Sequence, residues 1–403
     1  MENLLIIGAG QSAIQCISTL KKEGYSGSIT LVGEEEHLPY QRPPLSKGFL
    51  EDSIGKERLY FKKLEFFTEN KVQLYLGLAA EKLDIENQKV YLSDNSELEF
   101  DKLVLATGSR VRYLNFPGSE LKSIFYLRNL DDAEAIKKDL ETSDNLVIIG
   151  AGYIGLEAAA IAAKKNKTVT VIEMADRVMN RTVDPQISEY YLNLHQSYGV
   201  KFHFNTSLET INKSSDSLEV VCSDGTEVKA DSVLIGAGVI PNIELAEDSG
   251  IYCDNGIIVD EFGQTNFKNI YACGDCTNHP NKILNKNLRL ESVHNAMEQA
   301  KTVASSILDN PMEYSQVPWF WSDQYDHKLQ IVGLSGDHDL VTMRGTTNDA
   351  KFMLFYTKDE ELIAVDAINN PKEFLISRKL VANKVKIKPN VISDLNTNLN
   401  DLI

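Results

Sequence analysis

Two short glycine-rich stretches constrain this chain more than any other feature. In the first, the apolar strand pattern Leu4-Leu5-Ile6-Ile7 runs directly into Gly8-Ala9-Gly10-Gln11-Ser12-Ala13. Apolar residues at helical spacing follow (Ala13, Ile14, Ile17, Leu20), and then a second strand pattern, Ile29 to Val32. Gly8 permits a tight turn, Gly10 lets the backbone approach a pyrophosphate, and the small Ala13 lets the helix pack closely on its strand. The helix N-terminus at Gln11 and Ser12 offers free N–H groups and a partial positive charge to phosphates. Glu34 and Glu35, just past the second strand, can accept from a ribose hydroxyl. Alone, such a turn could also serve only to join two elements.

It is not alone. Leu146-Val147-Ile148-Ile149 leads into Gly150-Ala151-Gly152-Tyr153-Ile154-Gly155, a helical run from Leu156 to Ala163, and a strand from Thr168 to Ile172 that ends on Glu173. The fingerprint is complete here, with an acid about twenty residues after the glycines. Two such units imply two dinucleotides facing each other, and the simplest pairing is a tightly held flavin with an exchangeable nicotinamide. Glu173 would accept from an adenosine ribose hydroxyl and disfavour a 2′-phosphate, so NADH is expected over NADPH, although Arg177 and Arg181 lie close in sequence. The expected class is α/β, with two Rossmann-like dinucleotide-binding domains (FAD and NAD) and a small α+β C-terminal domain.

Composition sets outer bounds. At 403 residues the chain exceeds what one core serves, so two or three domains are expected. The apolar run Leu4–Ile7 is too short and wrongly flanked for a signal peptide, and no apolar stretch is long enough to span a bilayer. Five cysteines, odd in number and mostly scattered, argue against a disulfide framework and for a reducing compartment, the cytoplasm. A formal net charge of -17 argues against nucleic acid and anionic membranes as partners.

Further segments add a resemblance. Leu103-Val104-Leu105-Ala106-Thr107-Gly108 is an apolar strand ending in Ala-Thr-Gly, and Asn269-Ile270-Tyr271-Ala272-Cys273-Gly274-Asp275 ends in Gly-Asp. Leu234-Ile235-Gly236-Ala237-Gly238-Val239-Ile240-Pro241-Asn242 looks like a strand returning from the NAD domain. With the two glycine turns, these resemble the glutathione-reductase-like flavoproteins. Within them the chain is most similar to the ferredoxin and rubredoxin reductases that serve cytochromes P450 and ring-hydroxylating oxygenases. That likeness is carried by Leu38-Pro39-Tyr40-Gln41-Arg42-Pro43-Pro44-Leu45-Ser46-Lys47, Arg289-Leu290-Glu291-Ser292-Val293-His294-Asn295-Ala296 and Pro318-Trp319-Phe320-Trp321-Ser322-Asp323-Gln324-Tyr325. His294 departs from the more usual Gln.

The resemblance implies FAD and NADH as cofactors and a [2Fe-2S] ferredoxin or rubredoxin as partner, with monomer and dimer both open. It implies a discontinuous FAD domain (1–111 and 238–317), an inserted NAD domain (112–237) and a C-terminal domain (318–403). Asp275 would accept from the ribityl chain of FAD. Arg42, Ala80, Ala106, Thr107, Gly108, Arg128 and Val293 would join the first glycine turn at FAD, while Arg181 and Gly238 would join Gly150, Gly152, Tyr153, Ile154, Gly155 and Glu173 at NADH. Lys47, paired with Glu157, would lie by the flavin as the catalytic pair. The competing reading is a solvated lysine and an outward glutamate. Trp321 would flank the flavin or, equally, fill a core. In the C-terminal part, strands are expected at Leu329–Val332, Phe352–Tyr356 and Leu362–Ile368, then a helix over about 371–383 with Pro371 in its first turn.

The Cys273-Gly274-Asp275-Cys276 spacing, with His279 beyond it, invites a redox or metal reading. It lacks a nearby fourth ligand, so a structural role is expected and no metal is assigned. No cysteine lies between Cys16 and Cys222, whereas disulfide reductases of the resembled family carry a redox pair early in the FAD domain. Electrons would then leave singly to an external acceptor. Two other readings use the same fold: an NADH-dependent reductase of a small molecule such as an ascorbate radical or quinone, and a signalling flavoprotein resembling apoptosis-inducing factor. Against the acidic background, Lys282, Lys286 and Arg289, and Lys384, Lys386 and Lys388, are either a docking patch or ordinary solvated surface.

Overall fold

A strand buried on both faces reads as an unbroken apolar run, and both glycine turns are preceded by one. The computed structural model describes residues 2–215 and 217–403. The chain divides into two compact units. One comprises Met1–Gln41, Glu57–Arg110 and Ile240–Phe320, and the other Arg42–Lys56, Val111–Val239 and Trp321–Ile403.

The first unit is built on a five-stranded parallel sheet in the order Ile270–Ala272, Lys102–Leu105, Asn3–Ile7, Ser28–Gly33, Val72–Leu76. From the central strand, Leu4 and Ile6 join a core with Ile14, Ile17 and Leu20 of the helix Gln11–Lys22 and with Val303 and Ile307 of the helix Val293–Ile307. Leu5 and Ile7 join the opposite core with Leu103, Leu105, Leu83, Val90 and Leu92, the last three from an antiparallel sheet of Ala80–Asp84, Lys89–Leu92 and Glu97–Glu99. Each such buried side chain contributes roughly 1.5–3 kcal/mol. The strand is thus anchored from both sides, and the turn that follows it is held still.

The second unit repeats the plan with a parallel sheet ordered Lys201–His203, Thr168–Ile172, Asn145–Ile149, Ser232–Ile235, Ile124–Phe125. The helix Tyr153–Lys164 follows the central strand, and an antiparallel meander (Leu208–Ser214, Ser217–Cys222, Glu227–Ala230) shares a core with Val147 and Ile149. The segment Arg42–Lys56 clusters with this unit. Its short turn Pro43–Ser46 packs against the helices Leu130–Asp139 and Tyr153–Lys164. Glu51 pairs with Lys164, Asp52 with both Lys137 and Lys165, and Lys56 with Glu134. Those pairs are partly exposed and contribute about 0–1 kcal/mol each. The buried Leu45, Phe49 and Leu50 hold the segment more strongly.

A five-stranded antiparallel sheet closes the chain, ordered Trp319–Gln324, His327–Gly333, Glu361–Ile368, Lys351–Lys358, Leu340–Thr346. The expected strands are present and longer than the apolar runs alone suggest, and the helix is Pro371–Ala382 with Pro in its first turn. The polar tail also orders, which its sequence did not suggest. Arg344, buried in the last strand of the sheet, pairs with Glu373 through Nε and Nη2. It also donates to the carbonyls of Ile392 and Asp394 through Nη1, and of Leu395 and Thr397 through Nη2. Among the described residues no helix is long and apolar enough to cross a membrane.

Candidate functional site

In the first turn, Gly8 has φ +105°, and a Cβ there would come within 2.2 Å of the Ala106 carbonyl oxygen. Only glycine satisfies both conditions. Its N–H donates to the Val32 carbonyl at 2.8 Å, which locks the turn to the neighbouring strand. Gly10 caps the helix without any side-chain cap, and a Cβ on it would meet nothing within 4 Å. Protein packing does not demand glycine there. The open space in front of the helix N-terminus is the room a pyrophosphate needs. Ala13 is buried at the following turn, and Gln11 and Ser12 form the first helical residues.

Around this turn the first unit gathers several expected residues. Gly274 (φ +92°) meets Ser12, since a Cβ on it would lie 2.4 Å from Ser12 Oγ. Asp275 follows, half-buried, its Oδ2 accepting from Ser109 Oγ at 3.0 Å. The Gly274 N–H donates to Gln299 Oε1 at 2.7 Å, and Thr277 Oγ1 donates to the same atom at 2.9 Å, so the helix Val293–Ile307 fixes the Gly-Asp turn. Val293 is that helix's first residue, behind the Ser292 cap. Thr107 exchanges hydrogen bonds with Asn242, and Gly108 is left-handed at φ +65°. Of the two acids, Glu34 is exposed and Glu35 accepts from the Tyr40 hydroxyl at 2.5 Å. Ala80 opens the small antiparallel sheet.

The second turn repeats the logic with tighter tolerances. Gly150 (φ +102°) faces the Gly236 carbonyl, 2.6 Å from where its Cβ would sit, and its N–H donates to the Ile172 carbonyl. Gly152 is exposed, caps its helix with no side chain, and has open space where a Cβ would be. At Gly155 a Cβ would lie 2.2 Å from the Gly150 carbonyl oxygen, so glycine is required for packing. Glu173 turns back on this loop. Its Oε2 accepts from the Ala151 N–H at 2.6 Å and its Oε1 from the Ala175 N–H at 2.8 Å. Tyr153 is half-buried, whereas Ile154 is exposed. Arg177 is committed to the carbonyls of Val183 and Asn180 and to Ser188 Oγ. Arg181 stays exposed, its Nη2 4.0 Å from a Cβ built on Gly238.

Lys47 and Glu157 meet, with Nζ 2.6 Å from Oε2. Glu157 is only 2% exposed, so the reading of an outward glutamate fails. Ser46 Oγ donates to the same oxygen at 2.5 Å and Ser322 Oγ to Oε1 at 2.7 Å. Neither serine was picked out from the sequence. The available signal was a pair of polar residues, Ser322 and Gln324, on one face of a strand that begins with three aromatics. Trp321 immediately precedes Ser322 in sequence and so lies on the strand's other face. In the same unit, Arg42 Nη1 donates to the Arg128 carbonyl at 2.8 Å. Gly8, Gly10, Asp275 and the Thr107 region belong to the first compact unit, while Arg42, Lys47, Arg128, Glu157 and Trp321 belong to the second.

Residues 2–300 match the model of the pyridine nucleotide-disulphide oxidoreductase family, and residues 319–403 match a reductase C-terminal domain. The chain belongs to the pyridine nucleotide-disulphide oxidoreductase family. It is 39% identical to the rhodocoxin reductase of Rhodococcus erythropolis, over 98% of this chain and 93% of that one. It is 37% identical to the putidaredoxin reductase of Pseudomonas putida, over 100% and 97% of the two chains. Among solved structures, the ferredoxin reductase for the CYP199A2 system from Rhodopseudomonas palustris superposes with a TM-score of 0.97 at 38% identity, covering 100% of this chain and 99% of that one. The reductase in the covalent putidaredoxin reductase–putidaredoxin complex gives a TM-score of 0.96 at 37% identity, covering 100% and 98%. The chain is an FAD- and NADH-dependent oxidoreductase. The open spaces at Gly10 and Gly152, each before an uncapped helix N-terminus, fit two dinucleotides.

The family takes its name from disulphide chemistry, and here the thiols are poorly placed for it. Cys16, Cys273 and Cys276 are fully buried, and burial pushes the Cys16 thiol up to about 12 and the Cys273 thiol well above its ordinary value. The thiolate is the reactive form, so these groups are inert as nucleophiles. Among the described residues no cluster of three or more His, Cys, Asp or Glu could hold a metal ion. The first basic stretch is locally compensated: Lys282 pairs with Glu313 and Glu261, and Arg289 with Glu291. In the second, Lys384 faces Glu361 at 3.7 Å, and Lys386 and Lys388 are exposed.

Proposed function

We propose that this chain is the NADH:ferredoxin reductase, or rubredoxin reductase, of a P450 or ring-hydroxylating oxygenase system, acting in the cytoplasm. The carrying observation is the state of the thiols. With the Cys16, Cys273 and Cys276 thiols buried and their pKa values raised by that burial, an external acceptor rather than these thiols takes the electrons. Bound FAD supplies the chemistry that joins a two-electron donor to a one-electron acceptor. The similarity to reductases named for rhodocoxin, putidaredoxin and rubredoxin runs the length of the chain and supports an iron–sulfur protein or rubredoxin in that role.

On this reading the chain has a discontinuous FAD domain (1–111 and 238–317), an NAD domain (112–237) and a C-terminal domain (318–403). The first glycine turn cradles the FAD pyrophosphate with the N–H groups of Gln11 and Ser12, and Asp275 accepts from its ribityl chain. Ala80, Ala106, Thr107, Gly108, Arg128 and Val293 line the same cofactor. The second turn cradles NADH. Glu173, pinned by two backbone N–H groups, presents a carboxylate that cannot swing away to admit a 2′-phosphate. Lys47 is the cation at the flavin, and Glu157 positions its Nζ. The test is anaerobic stopped flow with NADH and a [2Fe-2S] ferredoxin or rubredoxin from the same genome. Catalytic reduction of the acceptor supports the reading. Brisk ferricyanide reduction with no transfer to either protein would sink it in favour of a small-molecule acceptor.

A further inference from the structure

Behind Glu157 lies a run of buried polar side chains that the Lys47 reading does not use. Ser322 Oγ is 2.7 Å from Glu157 Oε1, Gln324 Nε2 is 3.2 Å from Ser322 Oγ, and Gln324 Oε1 is 2.8 Å from His195 Nε2. His195 Nδ1 is 3.1 Å from the Tyr325 hydroxyl. Ser322, Gln324 and His195 are each fully buried. All of them, with Lys47 and Glu157, belong to the second compact unit.

One end of this run fixes the direction of every bond in it. A carboxylate only accepts, so the Ser322 O–H points at Glu157. Its lone pair then faces Gln324 Nε2, which donates. The other end of the amide, Oε1, faces His195 Nε2, which must therefore carry a hydrogen. Burial pushes the His195 pKa down to about 4, so the ring is neutral and Nδ1 is left to accept from Tyr325. Four successive donors thus point the same way, from Tyr325 to Glu157. The far end is anchored at some conformational cost. Tyr325 sits in the hairpin turn with φ +57°, a left-handed position that bulky residues seldom take, and its ring stacks on Tyr198 with centroids 3.8 Å apart.

We infer that Ser322, Gln324 and His195 are positioning residues, a one-way hydrogen-bond relay that aims the Glu157 carboxylate and through it places the Lys47 ammonium. This deepens the proposed function and rests on its assignment of Lys47. The strand Trp319–Gln324 brings Ser322 to Glu157 with Gln324 behind it on the same face, while Ser46 and Lys47 reach the carboxylate from the other segment. Glu157 thereby uses both oxygens, and loss of the Ser322 donor frees Oε1 to rotate.

Two measurements test the relay. Histidine-selective 15N NMR on the purified FAD-bound protein should show His195 as the neutral Nε2–H tautomer from pH 5.5 to 8.5. Gln324→Met, similar in volume but unable to complete either bond, should turn it into a mixture. A wild-type His195 that is cationic or Nδ1–H at neutral pH overturns the relay, whatever the enzyme reduces. In stopped flow with saturating NADH, Ser322→Ala should slow flavin reduction roughly tenfold or more. NADH affinity and FAD content should be unchanged, and Ser322→Thr, which keeps the hydroxyl, should restore the rate. An Ser322→Ala variant reduced at the parent rate overturns the inference, as does Thr failing where Ala fails. If wild-type flavin is not reduced by NADH at all, the proposed function fails, and the tautomer measurement still decides the relay.

Discussion

The two glycine turns begin alike and then diverge. Gly8 and Gly150 share a φ near +100°, a bond to the carbonyl that ends the next strand, and a crossing carbonyl where a side chain would be. At the third small position the first turn carries Ala13, whereas Gly155 has room for nothing. The acids differ too. Glu173 is tied to its own loop by two backbone N–H groups, while Glu34 is exposed and Glu35 leans on Tyr40. The first turn is also roofed by Gly274, which touches Ser12. One turn is bordered by a distant loop, the other is trimmed to backbone at Gly155 and tied to its own acid, and both leave open space at the middle glycine.

The comparison can be broken first at the leading glycines. Gly8→Val combines a strained φ, roughly 1–3 kcal/mol, with a 2.2 Å approach to Ala106. It should yield colourless or insoluble protein, whereas Gly150→Val, strained at φ +102° and 2.6 Å from the Gly236 carbonyl, should lose stability too but remain yellow where it folds and fail with NADH. Absorbance at the flavin bands decides between them, and a yellow Gly8→Val protein would mean the first cradle does not hold FAD. Next in size is Gly152→Val. Its side chain enters open space, so melting should move by no more than a few degrees while NADH affinity falls about a hundredfold. A parallel fall in stability would show that the space serves packing.

A smaller effect is expected at Glu173→Ser. Removing an anionic acceptor for the ribose should lower kcat/KM for NADH roughly tenfold and narrow the gap to NADPH. Steady-state kinetics with both coenzymes measure this, and an unchanged ratio would separate Glu173 from coenzyme choice. Smallest of all is the Cys273→Ala, Cys276→Ala double variant. It should reduce ferricyanide within a few-fold of the parent, since both thiols are buried and protonated. A collapse of turnover with FAD still bound would restore a redox role to the pair.

What the sequence made legible was local. Strand, turn and helix follow one another within a few residues, so Leu4–Ile7 and Gly8–Ala13 announce their geometry directly, as do Pro371 and the helix it opens. The partners of Glu157 lie far away in sequence: Ser46, Lys47 and Ser322 converge only after the chain has folded. A serine in a half-aromatic strand carries no mark of which distant carboxylate it will meet. The same holds for Arg42–Lys56. Its proline-rich composition says turn, and only the buried Leu45, Phe49 and Leu50 decide which unit it joins. The tail was illegible for another reason. Polar residues after Pro389 look like solvated chain unless one knows that a buried guanidinium needs their carbonyls.

That guanidinium sets an order on biogenesis. Arg344 is synthesised well before the residues whose carbonyls it collects, and a buried cation without acceptors is strongly destabilising. The C-terminal sheet therefore cannot settle until the chain has been made through Thr397. Both nucleotide cradles can take shape on the nascent polypeptide, domains generally folding as units from the N-terminus. The last domain has to wait for its tail. A chain truncated by even a dozen or so residues would leave Arg344 with Glu373 alone, marking incomplete products for proteolysis while their cradles look whole.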